Sequence, residues 1–458
     1  MQFTTVNPAT GKTLKTYDEM SWESLDALLK EVAQTQREWR KTPFSERSRL
    51  MKRAAQILKD QKDALAELMA QEMGKPLDQG RAEIEKCAWV CEYYAENAEK
   101  FLQSETVKTE AHESFVAFKP LGVVLAIMPW NYPFWQVFRF AAPGLMAGNA
   151  GVLKHAPNVY GCALALEKIF QDAGFPPNLF RSLIIDIPAT TKVIHHPQVA
   201  AVTITSSVRA GQAVATEAGK VLKKCVLELG GSDAFVVLED ADIDKATEIG
   251  ITARYQNTGQ SCIAAKRFIV VEAIREKFEK KFVERAKALT MGDPHEDGVK
   301  MGPMARTDLR DELHDQVQRS VAKGAKILTG GQVPDGPGAY YPPTVITDVK
   351  EGMAAWSEEL FGPVAIVIPV KDENAAIQVA NGTDFGLGGA VWTQDLERGK
   401  RIAADLMESG SCTVNGMTKS DPRLPFGGIK KSGYGRELSA FGIREFVNIH
   451  PVVVNQIS

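Results

Sequence analysis

Leu121-Gly122-Val123-Val124-Leu125-Ala126-Ile127-Met128-Pro129 is a short apolar run that stops at a proline. It has the length of a strand, and its unbroken apolar character suits a strand covered on both faces, as in a parallel sheet. Gly151-Val152-Leu153 reads as the next strand, and residues 183–187, 200–204 and 226–229 supply others. Among them lies a helix over 163–173 that stops at Gly174 and Pro176. This alternation predicts a doubly wound α/β fold. Upstream, residues 22–103 read as helices, with Leu25, Leu28, Leu29 and Val32 forming one apolar stripe and Leu50, Ala54, Ile57 and Leu58 another. A second α/β segment spans about 231–430. It opens with the strand Ala234-Phe235-Val236-Val237-Leu238 and holds a helix over 275–289 and a strand over 365–370.

Composition narrows the class. A chain of 458 residues, 44% hydrophobic and 24% charged, is large enough to bury two or three cores. A formal net charge of -3 gives no electrostatic footprint for nucleic acid or acidic lipid, so neither partner is expected. The most apolar region, 121–152, is broken by Pro129, Asn131, Pro133, Arg139 and Pro143 and does not read as a membrane span. The start, Met1-Gln2-Phe3-Thr4-Thr5, shows no secretory pattern. Cysteines at 87, 91, 162, 225, 262 and 412 have neither disulfide-framework nor zinc-site spacing, and the histidines are scattered. No metal site is expected, and a reducing, cytoplasmic setting is.

Chemistry enters with Asn257-Thr258-Gly259-Gln260-Ser261-Cys262, whose cysteine lies thirty-four residues after Glu228 in Leu227-Glu228-Leu229-Gly230-Gly231. A cysteine beside a Gly-Gln turn can be held at a cleft as a thiolate nucleophile, and a glutamate before two glycines can face the same cleft as a general base. Neither decides alone, since most cysteines pack as small hydrophobes. Four further motifs add weight: Pro129-Trp130-Asn131, Leu153-Lys154-His155-Ala156-Pro157, Glu359-Leu360-Phe361-Gly362-Pro363, and Pro425-Phe426-Gly427-Gly428 leading to Lys431-Ser432-Gly433. In this order, from Asn7-Pro8-Ala9-Thr10-Gly11 to the C-terminus, the chain resembles the aldehyde dehydrogenase superfamily.

That resemblance implies a dinucleotide-binding domain over 1–101 and 120–230, a catalytic α/β domain over 231–443, and a small β oligomerisation element over 102–119 and 444–458. A homodimer or homotetramer is therefore expected. Val447, Ile449 and Val453 alternating with Asn448 and His450 permit an edge strand, the place where Pro451 is tolerated. The implied catalytic residues are Cys262 as nucleophile, Glu228 as base and Asn131 as oxyanion donor together with the Cys262 backbone N–H. No Gly-x-Gly-x-x-Gly is present; Thr205-Ser206-Ser207-Val208-Arg209-Ala210-Gly211 resembles the family's Gly-Ser-x-x-x-Gly phosphate turn, with Ser206 in place of the first glycine. Ser206, Ser207 and Gly211, with Trp130, Lys154, Pro157, Glu359 and Phe361, form the implied cofactor site. Relatives preferring NAD often carry a glutamate where Pro157 stands; Pro157 offers neither that carboxylate nor a hydroxyl to welcome a 2′-phosphate, and its ring takes up space near Lys154, so NAD is expected with NADP possible. Ala264 replaces a second cysteine found in some relatives, and no intrachain disulfide switch is expected.

On a helix starting near Pro133, Asn131, Trp135 and Arg139, with Phe138 beside them, share a face toward the cleft. An arginine there can clamp a carboxylate. Trp135-Gln136-Val137-Phe138-Arg139 and Lys419-Ser420-Asp421-Pro422-Arg423 resemble bacterial succinic semialdehyde dehydrogenases. Trp135, Arg139, Ser261 and Ser420 are the implied substrate residues, for a small-molecule aldehyde. Succinic semialdehyde is expected, with glutaric semialdehyde as runner-up. A broad-range aldehyde dehydrogenase and a catalytically silent structural member stay open.

Overall fold

The computed structural model describes residues 1–456. Its first sheet has six strands in the order Gly433–Tyr434, Lys224–Glu228, Val199–Thr205, Val123–Met128, Ala150–His155 and Phe180–Ser182. All pairings are parallel except that of Gly433–Tyr434. Val123–Met128 lies inside the sheet, and Val124, Leu125 and Ala126 are wholly buried. Ile127 pairs with Lys154 on one side and Ile204 on the other. Strand order reverses between these neighbours, which creates a crevice at the carboxyl ends of the strands. Helices Trp22–Trp39, Phe44–Asp60, Lys62–Met73 and Leu77–Phe101 bury their apolar stripes, including Leu25, Leu29 and Val32, in the core of this sheet.

The strand expected at 183–187 is not there. Phe180–Ser182 is the edge strand, and Asp186 caps the helix Ile187–His195 by accepting from Ala189 N at 2.7 Å. Leu183 N–H still donates to Leu153 O at 2.7 Å, but pairing stops there and Ile185 is buried outside the strand, so the apolar run marked burial more than a strand.

A second sheet of seven strands runs Lys326–Thr329, Thr344–Thr347, Val364–Val370, Ala265–Val271, Asp233–Val237, Gly389–Trp392, Thr413–Val414. Only Lys326–Thr329 is antiparallel, and separate apolar cores cover the sheet. The last residues of the expected 231–443 segment do not stay with it. Gly433–Tyr434 pairs with Glu228 and Leu227 of the first sheet, and Leu438 and Ile443 join that sheet's core.

Val447–Val454 pairs along its whole length with Glu113–Pro120, with Glu105–Thr106 beyond. Among the described residues its outer edge has no partner strand, and Ile449 and Val453 are 62% and 59% exposed. Ile457 and Ser458, the end of the expected oligomerisation element, lie outside the described residues. Among the described residues no helix is long and apolar enough to cross a membrane, and no cluster of metal-ligating side chains occurs.

Candidate active site

The helix Ile243–Tyr255 gives way to a turn in which Asn257, Thr258 and Gly259 are successively left-handed, at φ 55°, 54° and 71°. Such conformations cost a non-glycine residue about 1–3 kcal/mol, and a β-branched threonine adopts them least readily. Side chains hold the turn in place. Asn257 Nδ2 donates to Asn131 O at 2.8 Å and Gln260 O at 3.1 Å, and Thr258 Oγ1 donates to Gly302 O at 3.1 Å. Beneath it, the wholly buried Arg254 donates to Gly259 O at 2.6 Å and Gly362 O at 2.5 Å. Lys266, at the start of the strand Ala265–Val271, donates to the carbonyls of Ser261 and Cys262, each at 2.9 Å, and pairs with Glu359 at 3.3 Å.

Cys262 is left half-buried at the end of this turn. Burial pushes its thiol up to about 12, with Arg139 and Lys266 pulling it back and Glu359 and Glu228 adding to the rise. The thiol is therefore protonated at neutral pH and needs a base to become a nucleophile. Asn131 is buried, and its Nδ2 donates to Gln260 O at 3.1 Å, which leaves its second N–H for a developing oxyanion.

Glu228 ends its strand, and the chain beyond it passes close to the nucleophile's loop. A Cβ at Gly231 would lie 2.6 Å from the Cys262 carbonyl oxygen, and one at Gly427, where φ is +153°, would lie 2.7 Å from Glu228 Oε1. Glycine at these two positions is what allows the three segments to converge. The Glu228 carboxyl is 2% exposed, and neither oxygen accepts a hydrogen bond from the protein. Burial, and then the neighbouring Glu437, raise its pKa well above the carboxylate range, while Arg139 and Arg436 oppose the rise.

The carboxyl ends of the central strands bring Trp130, Lys154, Ser206 and Ser207 to one edge of the sheet, at the strand-order reversal. Ser207 caps the helix Val208–Lys220, accepting from Ala210 N at 3.4 Å. Gly211 lies in its first turn against Leu229. Ser206 donates its backbone N–H to Glu228 O at 3.0 Å and is not left-handed, so a side chain is carried there without strain. Trp130 and Phe361 meet edge to face at 5.8 Å, and Glu359 accepts from Gly231 N at 3.0 Å. Pro157 opens the short helix Pro157–Val159. Lys154 is half-buried with no ion pair among the described residues, and burial lowers its pKa. A helix N-terminus for phosphate, an unpaired ammonium and a carboxylate for ribose hydroxyls form a donor set that fits a dinucleotide.

A cavity of about 500 Å³ is lined in part by Cys262, Ser261, Trp135, Arg139 and Ser420, with Lys86, Glu83, Lys300 and Lys419 also on its wall. The helix bearing Trp135 and Arg139 begins at Trp135, later than expected, because Glu83 Oε1 accepts the N–H groups of Phe134 at 2.9 Å and Trp135 at 3.0 Å. Asn131 is thus off the helix, and Phe138 points into the core against Phe170. Arg139 lines the cavity without being free. Its Nε pairs with the buried Glu437, Nη2 lies 3.4 Å from Thr205 Oγ1, and the guanidinium covers Phe426 at 4.6 Å. Only Nη1 has no protein partner among the described residues. Glu437, Lys266, Arg254 and Lys86 escaped the sequence reading; each is a single charged residue whose partners come from remote segments.

Fold and thiol together define the class. Residues 1–452 match the family model described as Aldehyde dehydrogenase family, and the chain belongs to that family. It is 48% identical over 452 residues, 99% of each chain, to a Synechocystis sp. protein named probable succinate-semialdehyde dehydrogenase (NADP+). It is 46% identical to the Escherichia coli succinate semialdehyde dehydrogenase (NAD(P)+), covering 99% of this chain and 98% of that one. Among solved structures, succinic semialdehyde dehydrogenase from Streptococcus pyogenes in complex with NADP+ superposes with a TM-score of 0.97 at 36% identity, covering 99% of this chain and 100% of that one.

Proposed function

We propose that the protein oxidises succinic semialdehyde to succinate, with NAD as hydride acceptor and NADP also accepted. The observation that carries this reading is the single cavity that joins the Cys262 thiol to a cationic, hydroxyl-bearing wall with Arg139 and Ser420. The names of the curated relatives support the same substrate and both cofactors. Trp130, Lys154, Ser206, Ser207, Glu359 and Phe361 hold the dinucleotide, which when bound supplies the hydride acceptor.

Cys262 passes its proton to water in the cavity as its sulfur attacks the aldehyde carbon, and its backbone N–H with the free N–H of Asn131 stabilises the oxyanion. Oxidation leaves a thioester on Cys262. Glu228, held by no hydrogen bond among the described residues, acts in its ionised form, taking a proton from the attacking water and releasing the acid. At the far end of the cavity Arg139 Nη1 and Ser420 receive the distal carboxylate.

The test is formation of reduced cofactor, followed by near-ultraviolet absorbance, with succinic semialdehyde, glutaric semialdehyde and butyraldehyde. The highest kcat/KM is expected for succinic semialdehyde. Equal values for all three would leave an aldehyde dehydrogenase of broad range, and no turnover of any would point to a silent member.

Cofactor choice gives a second prediction. Pro157 itself carries no charge to repel a 2′-phosphate. Pro157→Glu is expected to lower kcat/KM for NADP about tenfold or more, through like-charge repulsion, and to change it far less for NAD. Equal changes for the two cofactors would show that position 157 does not face the ribose.

The free edge of Val447–Val454, with Ile449 and Val453 exposed, supports assembly of a homodimer or homotetramer by strand pairing. Six free cysteines agree with a cytoplasmic setting.

A further inference from the structure

Lys300 and Lys419 on the cavity wall are exposed, and of the more buried cations on or near that wall three have a carboxylate. Arg139 pairs with Glu437, Lys266 with Glu359 and Lys75 with Glu83. Lys86 has none. Its ammonium donates to Ser420 Oγ at 2.7 Å and lies 4.3 Å from the centre of the Trp135 ring, and it makes no ion pair among the described residues. The carboxylates nearest in charge are both engaged. Glu83 is held by Lys75 and caps the helix Trp135–Met146, while Asp421 is held by the fork of Arg423 at 2.9 and 2.6 Å. A half-buried ammonium on a cavity wall without a counter-ion favours an anion beside it, because desolvation is offset only partly by one hydroxyl and one ring face.

We infer that Lys86, acting with Ser420, is the principal anchor of the substrate's distal carboxylate, and that Arg139 contributes a secondary contact. This deepens the proposed function and rests on its substrate class. An ammonium has three donors. One is given to Ser420, so two remain for a carboxylate, and the Ser420 hydroxyl, already accepting from Lys86, can donate its own hydrogen to the same anion. Arg139 contributes less because its Nε edge and Nη2 are committed to Glu437 and Thr205, which leaves Nη1. Lys419 also lines the cavity, but it is exposed, so its charge is solvated.

Acidity offers an independent handle. Burial, followed by the positive charge of Arg139, brings Lys86 down to about 8, against the opposing influence of Cys87, Glu83 and Asp421. The groups facing it are therefore Glu83 and Cys87 on its own helix, Arg139 on the helix Trp135–Met146, and Asp421 and the exposed Lys419 beside Ser420. As pH rises through about 8 the free enzyme loses this cation, and the attraction for a carboxylate goes with it.

The experiment compares kcat/KM for succinic semialdehyde and butyraldehyde in wild type, Lys86→Met and Lys86→Arg, as a function of pH. The ratio of the two substrates cancels the ionisation of Cys262 and Glu228, which both reactions share. Lys86→Met is expected to lose about thirty- to a hundredfold with succinic semialdehyde and less than about threefold with butyraldehyde, and Lys86→Arg to keep most of the preference. In wild type the ratio should fall as pH rises through about 8, and in Lys86→Met it should be flat. Butyraldehyde turnover reports that each variant is folded. A preference that survives in Lys86→Met, or equal losses with both substrates, overturns the role of Lys86 alone. A wild-type enzyme with no preference overturns the substrate reading as well.

Discussion

Cys262→Ala is expected to leave less than about a thousandth of the wild-type rate while the fold and dinucleotide binding persist. The loss is total in principle because no thioester can form without the sulfur. Folding should be spared because the turn that presents residue 262 is held by other groups: Asn257 on Asn131 O, Arg254 on Gly259 O, and Lys266 on the carbonyls of residues 261 and 262, which alanine retains. Steady-state rates together with dinucleotide titration by fluorescence separate the two effects. A residual rate well above a thousandth, with the cofactor bound normally, would mean that the aldehyde is oxidised without a covalent intermediate.

Glu228→Gln is expected to behave differently in kind. It should release one equivalent of reduced cofactor per site and then stop, since the thioester forms but water is not activated against it. Rapid mixing reads the burst, and mass spectrometry of the quenched protein reads the acyl group on Cys262. Turnover near the wild-type rate would remove Glu228 from the mechanism. The same variant should be more stable than wild type at alkaline pH. Glu228 is buried beside Glu437 with a raised folded-state pKa, so its contribution to stability is fully present below its unfolded value, about 4, and is lost as pH rises through the folded value. An amide has no such titration. The gain in melting temperature should grow with pH, and a gain independent of pH would contradict this account.

What could be read from residues alone follows from how locally each feature is encoded. The central strand was legible because residues 121–128 are apolar throughout and a proline ends them; both faces of that strand are covered, so no alternation was needed to see it. Cys262 and Glu228 were legible through the ordered motifs around them, which resemble the aldehyde dehydrogenase superfamily, and the glycines at 230, 231 and 259 beside them mark close approach. Residues 183–187 misled, since buried Leu183 and Ile185 carry the same apolar signal as a paired strand, and only Asp186 before Pro188 betrays the helix cap. Arg139 was seen as a charge near the cleft, but its engagement with Glu437 depends on a segment nearly three hundred positions away, where Glu437 reads as an ordinary surface acid. Lys86 was invisible for the same reason. Its spacing on the helix Leu77–Phe101 matches a solvated face, and only the fold lays Ser420 and Trp135 against it.

The left-handed run at Asn257, Thr258 and Gly259 has a consequence for anyone evolving this protein. Glycine at 257 or 258 would relax the backbone, yet each side chain there ties the turn to a neighbour, Asn257 to Asn131 and Thr258 to Gly302. Strain and tether pull in opposite directions at the same two positions. A library selected for heat resistance alone would therefore sample substitutions that soften the mount of the thiol, and its survivors would be sturdier proteins with a misaimed nucleophile. Selection on this chain has to score turnover and endurance in the same round.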